Sequence, residues 1–246
     1  MTRKGKNNPV KTRSVDEWLP VPEMLPLVEA EVHVWRASLQ LDTPRVEALR
    51  RTLSAEERHR EERFRFQADR VRYTAAHGLL REILARYLGV PAIALEFVQG
   101  EHGKPALIAP RCAGRLRFNL SHSEDLALVA VALDREVGVD LESLVQQVEA
   151  VEIASQFFAA REALALGRIS ADRRGVAFLR MWTRKEALSK AIGIGLAAGA
   201  PTLNGDWAVQ SWDRGWRVRS LKPAAGYAGA VAAEGRNWRL RCGPWE

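Results

Sequence analysis

Cysteine is almost missing from this 246-residue chain, which has only Cys112 and Cys242. Two cysteines make no disulfide framework, and neither has a partner at metal-ligand spacing, so a stapled secreted domain and a structural zinc site are both excluded. Long apolar runs are missing too. The longest covers residues 126–133, far short of the roughly 20 residues a membrane-spanning helix needs. No basic start leads into an apolar stretch with a small-residue cleavage site, so no secretory signal is expected and the chain is expected in the cytoplasm. Two catalytic signatures are also absent. No G-x-S-x-G elbow exists, and Gly103-Lys104-Pro105 lacks the glycine spacing and the following Ser or Thr of a P-loop.

What is there is ordinary globular material, 47% hydrophobic and 27% charged, long enough for one large domain or two small ones. The formal net charge of +7 invites a nucleic-acid reading. Yet Arg3, Lys4, Lys6, Lys11 and Arg13 all precede the first acid, Asp16, in a stretch broken by Pro9, Pro20, Pro22 and Pro26. Residues 1–29 therefore read as a flexible basic extension, the remainder is only mildly basic, and nucleic acid is not expected as a partner.

Alternating polar and apolar residues predict a strand over 31–35. Ser54-x-x-Glu57 has the form of a capping box at the head of a short exposed helix. Asp69 is expected to cap the next helix, in which Val71, Ala75, Leu79, Ile83 and Tyr87 recur every fourth residue until Gly89 and Pro91 end it. Short strands are predicted at 95–98, 104–108, 115–120 and 136–141, with 126–133 buried on both faces. Helical spacing returns at 146–158 and 172–192, and strands at 207–212, 216–221, 227–233 and 238–241. This order is α+β, with two subdomains of similar size expected at 30–136 and 137–246.

Asp140 and Glu142 share one face of a predicted strand, where two hard oxygens would suit Mg²⁺. Taken alone, such a pair more often marks a solvent-facing strand end. Trp182, Glu186 and Lys190 line one helix face, and by themselves the last two make an ordinary i,i+4 ion pair. Ser121 and His122, at the end of Asn119-Leu120-Ser121-His122-Ser123, could cup a phosphate, although a histidine at a strand end is commonly structural.

The five segments together say more than each alone. Gly103-Lys104-Pro105, Phe118-Asn119-Leu120-Ser121-His122-Ser123, Gly138-Val139-Asp140-Leu141-Glu142, Phe157-Phe158 with Glu162, and Trp182-Thr183-Arg184-Lys185-Glu186-Ala187 with Lys190 occur in this order. The chain thereby resembles the 4′-phosphopantetheinyl transferase superfamily, of the larger surfactin-synthetase-activating type, from about Glu31 to near Ala233. The resemblance implies a pseudo-twofold monomer of two α+β halves with coenzyme A between them. It implies transfer of the phosphopantetheine arm of coenzyme A to a serine of an apo acyl or peptidyl carrier protein, releasing adenosine 3′,5′-bisphosphate. Asp140, Glu142 and Glu186 are implied to hold Mg²⁺, or Mn²⁺ in its place, with Glu186, Lys190 and His122 as the catalytic set. Ser121, His122, Lys185, Lys190, Arg72 and the Gly103, Lys104, Pro105 turn are implied to contact coenzyme A.

One departure stands out. Some members carry two lysines for the 3′-phosphate on the segment matching Glu57–Arg60, and here only Arg60 is basic. Two other readings compete, a catalytically idle homologue acting as a binding protein and a nucleic-acid module. The retained acids, His122 and Lys190 argue against the first. The missing aromatic and basic face argues against the second.

Overall fold

A computed structural model describes residues 18, 26–100, 103–109, 115–146, 148–194, 210–213 and 215–246. Most of the expected N-terminal extension, Cys112 and the first residues of the strand expected at 207–212 lie outside that set. The first half runs β1 (Glu31–Ser38), α1 (Thr43–Arg50), α2 (Ala55–Glu62), α3 (Gln67–Leu88), β2 (Glu96–Gln99), β3 (Pro105–Ala109), β4 (Leu116–Ser123) and β5 (Leu126–Leu133). The second runs β6 (Val137–Ser143), α4 (Ala150–Phe157), α5 (Ala160–Gly167), α6 (Ala171–Ile192), β7 (Gln210–Asp213), β8 (Trp216–Leu221), β9 (Tyr227–Glu234) and β10 (Arg239–Trp245). The α+β class expected from the element order is the observed one.

Two four-stranded sheets carry the architecture, ordered β10-β1-β5-β4 and β6-β9-β8-β7, with β2 and β3 as a separate hairpin. Pairings between these strands are antiparallel except β1 with β10, which run parallel. One face of the first sheet packs Trp35, Phe118, Val129 and Val131 against Leu80, Ile83 and Leu84 of α3. Its other face packs Val32, Val34, Leu128 and Ala130 against Val137, Val139, Leu141 and Val231 of the second sheet. The second sheet turns Val218, Ala230 and Ala232 to Ala187, Leu188 and Ala191 of α6. The layers are thus helix, sheet, sheet, helix. β5 is buried on both faces, as its unbroken apolar sequence requires.

Local signals explain most boundaries. The capping box forms: Glu57 N donates to Ser54 Oγ at 3.2 Å, and Ser54 N to Glu57 Oε2 at 2.8 Å. Gly89 and Gly193 close α3 and α6 with φ of 64° and 84°, the left-handed conformation that glycine adopts without a Cβ penalty. Asp69, however, is not a cap. α3 begins two residues earlier, behind an extended Phe66 that makes no side-chain cap bond. Asp69 therefore lies in the first turn, where a carboxylate meets the positive end of the helix dipole. Helix α1 had no sequence assignment. Asp42 caps it through Arg45 N at 2.9 Å, and Pro44 sits in the first turn, where no N–H is needed. The helix expected over 146–158 starts only at Ala150, and an extended Phe158 separates it from α5.

Strand β6 and helix α6 pack at backbone distance at Gly138. A Cβ on Gly138 would overlap the carbonyl oxygen of Ala187 and the amide nitrogen of Ala191. Backbone cannot retreat as a side-chain tip can, so β6 would have to lift away from the helix. Gly138→Ala should cost about 3 kcal/mol of stability. A fall in the urea midpoint at unchanged slope would show it, and an unchanged midpoint would mean the sheet and helix are not held this tightly.

Candidate active site

Strands β4 and β6 run side by side where the two sheets meet, and alternate residues of β4 face β6. Asn119 Oδ1 accepts from Val139 N at 2.8 Å, Ser121 Oγ donates to Asp140 Oδ1 at 3.0 Å, and Ser123 Oγ accepts from Ser143 N at 3.1 Å. The seam turns Asp140 and Glu142 toward α6, while Leu141 between them enters the core.

Asp140 is 4% exposed. Its Oδ1 accepts from Lys190 Nζ at 2.6 Å as well as from Ser121, whereas Oδ2 is buried with no hydrogen-bond partner among the described residues. Lys190 also reaches Ser121 Oγ at 3.1 Å. Burial pushes the Asp140 carboxyl up, with Lys190 opposing. Glu142 is pushed up to about 7, first by desolvation and then by the Asp140 charge. Glu186 is raised for the same two reasons. Three carboxylates thus face one ammonium, and the cluster is short of positive charge.

His122, next along β4, points away from Ser121, as strand alternation dictates. Desolvation lowers its pKa, and the charges of His77, Lys190 and Arg72 lower it further. Arg72 is held on the β4–β5 turn, with Nε 3.2 Å from Asp125 Oδ1 and an Nη 3.2 Å from Glu124 Oε2. Gly103, Lys104 and Pro105 stand elsewhere. Lys104 and Pro105 line a cavity of about 470 Å³ with Leu116, Phe118, Ile192 and Gly193, beside the last turn of α6. Lys104 Nζ donates there to Glu136 Oε2 at 2.6 Å and to the Ala191 carbonyl at 3.1 Å.

Lys185 does not join these groups. It is 1% exposed, its ammonium 2.9 Å from Glu162 Oε2 and 5.0 Å from the centre of the Phe158 ring. On a helix it lies about 100° from Glu186, so the two face different partners. That contact also accounts for Phe158 and Glu162, which hold α5 against α6. Glu136 was missed from sequence. It anchors Lys104 and, through Oε1, Arg117 Nε at 2.8 Å, and a lone acid before a strand carries no signal of that.

Comparison with known proteins agrees with this arrangement. A family profile described as "4'-phosphopantetheinyl transferase superfamily" matches residues 136–230, and one described as "4'-phosphopantetheinyl transferase, N-terminal" matches residues 37–134. The chain is 38% identical over 229 residues to the 4′-phosphopantetheinyl transferase HetI of Nostoc sp. strain PCC 7120, covering 90% of this chain and 95% of that one. The chain belongs to the 4′-phosphopantetheinyl transferase superfamily. Among other members, psf-1 of Bacillus pumilus is 34% identical over 154 residues, 63% of this chain and 64% of its own. AcpT of Salmonella typhi is 38% identical over 98 residues, 40% of this chain and 50% of its own. Within this transferase the two profiles abut at the start of β6, where the seam begins.

Among the described residues, no three His, Cys, Asp or Glu side chains converge tightly enough to enclose a metal ion by themselves. A Mg²⁺ ion needs only one or two carboxylates when substrate oxygens and water complete its shell. The unpartnered Asp140 Oδ2 and the raised Glu142 and Glu186 carboxylates are hard oxygen donors of that kind.

The raised Glu142 has a consequence for stability. Its folded-state pKa lies above the unfolded value, so the folded protein binds the extra proton and stability falls as pH rises from about 4.5 toward 7. In EDTA, Glu142→Gln should therefore stabilise the protein at pH 8 by on the order of 1–2 kcal/mol and change little at pH 4. Thermal melts at the two pH values check this. An equal shift at both would remove Glu142 from the charge cluster.

Proposed function

We propose that this transferase moves 4′-phosphopantetheine from coenzyme A to a serine of an apo acyl or peptidyl carrier protein, as a monomer in the cytoplasm. The observation that carries the reading is the Asp140 carboxylate. One of its oxygens is shared by Lys190 and Ser121 and the other is buried and unpaired among the described residues, beside two further carboxylates. All of these groups come from one chain. Among the described residues no helix is long and apolar enough to cross a membrane.

In the reaction the carrier serine Oγ attacks the phosphorus that bears the pantetheine arm. The bond to the bridging pyrophosphate oxygen breaks, and adenosine 3′,5′-bisphosphate leaves. Asp140, Glu142 and Glu186 would hold Mg²⁺, which when bound draws charge from the pyrophosphate oxygens. Glu186, kept more basic than an ordinary carboxylate by burial and by Asp140, accepts the serine proton directly or through a water it orients. Lys190 lies within reach of Asp140 and Ser121 and steadies the charge growing on the departing phosphate. His122, on the opposite face of β4, holds the nucleotide phosphates with Arg72 nearby, and the cavity at Lys104 and Pro105 takes the nucleotide end. Carrier proteins are commonly acidic, and a mildly basic surface beside the cleft would favour their approach.

An intact-mass assay with coenzyme A, Mg²⁺ and a panel of apo carrier proteins tests this. The expected result is a phosphopantetheine-sized gain on the carrier that EDTA abolishes. Glu186→Gln should slow the gain by about 10²-fold or more while the melting temperature holds. Near wild-type turnover by that variant would strip Glu186 of its role.

A further inference from the structure

Two hydroxyls on β4 are given no choice of direction. Ser121 and Ser123 are each 7% exposed and stand two apart on the strand, so both face β6. Ser121 Oγ receives Lys190 Nζ at 3.1 Å, and an ammonium can only donate. Ser123 Oγ receives Ser143 N at 3.1 Å and Gln146 Nε2 at 3.3 Å, neither of which can accept. Each hydroxyl is therefore left with its own proton to give. Among the described residues it goes to Asp140 Oδ1 at 3.0 Å from Ser121 and to Glu142 Oε2 at 3.5 Å from Ser123. Serines two apart on β4 thus meet acids two apart on β6.

Asp140 shows what this does to an acid. Its Oδ1 takes both Ser121 and Lys190, while the buried Oδ2 takes neither. A carboxylate left to itself would turn to share two donors between its two oxygens, because a buried oxygen without a partner is costly. Ser121, fixed in place by the strand, holds Oδ1 and stops that turn. Ser123 acts in the same way on Glu142, with Gln146 of the connection between β6 and α4 fixing its hydroxyl. Joining the sheets does not require these two bonds to acids. Asn119 ties β4 to β6 through Val139 N, and Ser123 does so through Ser143 N. Donation to Asp140 and Glu142 is a separate function of the same strand.

A divalent cation binds a carboxylate through a free lone pair, and hydrogen bonds behind the ligands aim them and set much of the affinity. We propose that Ser121 and Ser123 are positioning residues for the cation site, each giving its proton to one oxygen of a β6 acid so that the other oxygen faces the ion. The inference rests on Asp140 and Glu142 being cation ligands. It gives Ser121 a different task from the coenzyme A contact that the family resemblance implies.

Mn²⁺ alone is the probe, with its free fraction read by electron paramagnetic resonance on the full chain, below the melting temperature of every variant. The wild type should bind, and Ser123→Ala should bind about tenfold more weakly. Ser123→Thr keeps the hydroxyl donor and should stay within about twofold of the wild type. Asn119→Ala removes a bond of the same seam that involves no acid, so its melting temperature should fall while its Mn²⁺ affinity holds. A loss of affinity in Asn119→Ala as large as that in Ser123→Ala would make seam integrity the cause and overturn the inference. So would an unchanged affinity in Ser123→Ala, or an equal loss in Ser123→Thr. A wild type that binds no Mn²⁺ would refute the carboxylates as a cation site, and this inference would fall with them.

Discussion

Three short side chains on one strand set the geometry of the whole protein. Asn119, Ser121 and Ser123 alternate along β4 and bond to β6 where a sheet would ordinarily continue through backbone ladders. Side chains standing in for backbone hold the two sheets face to face and keep their facing strands in register. A one-residue slip would turn all three toward the wrong side. Because Ser121 bonds to Asp140, the same register that joins the sheets also brings Ser121, Asp140 and Lys190 into one group. Gly138 completes the arrangement by letting α6 approach β6 at backbone distance.

The candidate site is built against the preferences of folding. Buried carboxylates that repel one another are stable only when something positive is near, and the chain supplies one ammonium for three acids. A cluster left short of positive charge is suited to receive a cation and an anionic substrate together. Elsewhere two buried cations are each held by a carboxylate, Lys185 by Glu162 and Arg81 by Glu57. The contrast separates charges that hold the fold from charges that await a ligand.

Much of this was legible in the residues. Alternation marked β1, the doubly buried β5 was written as an unbroken apolar run, and Gly89 marked the end of α3. Spacing put Asp140 and Glu142 on one strand face and Glu186 and Lys190 on one helix face, and the family resemblance alone suggested that they form a site. What escaped was set by partners distant in sequence. Helix spacing sets Lys185 off the face of Glu186 and Lys190, but its partner Glu162 lies too far away in sequence to be read from it. Glu57 looked like a lost cation until Arg81 and His77 showed whose charge it serves. The head of α3 was misplaced because Asp69 is a good cap by type, while the backbone had already turned helical at Gln67. Helix α1 escaped because it is short and its signal lies in Asp42 and Pro44, without a strong apolar stripe.

No local pattern foretold that β10 would return to lie parallel beside β1, some two hundred residues away. The pairing ties the order of assembly to the order of synthesis. As the chain leaves the ribosome, β1 can join β5 early, but its other edge stays open until Arg239–Trp245 have been made. An exposed strand edge is a hazard for association with other chains. The N-terminal half must therefore either be shielded or wait, and it becomes a finished sheet only once the acids of β6 and the lysine of α6 are already in place.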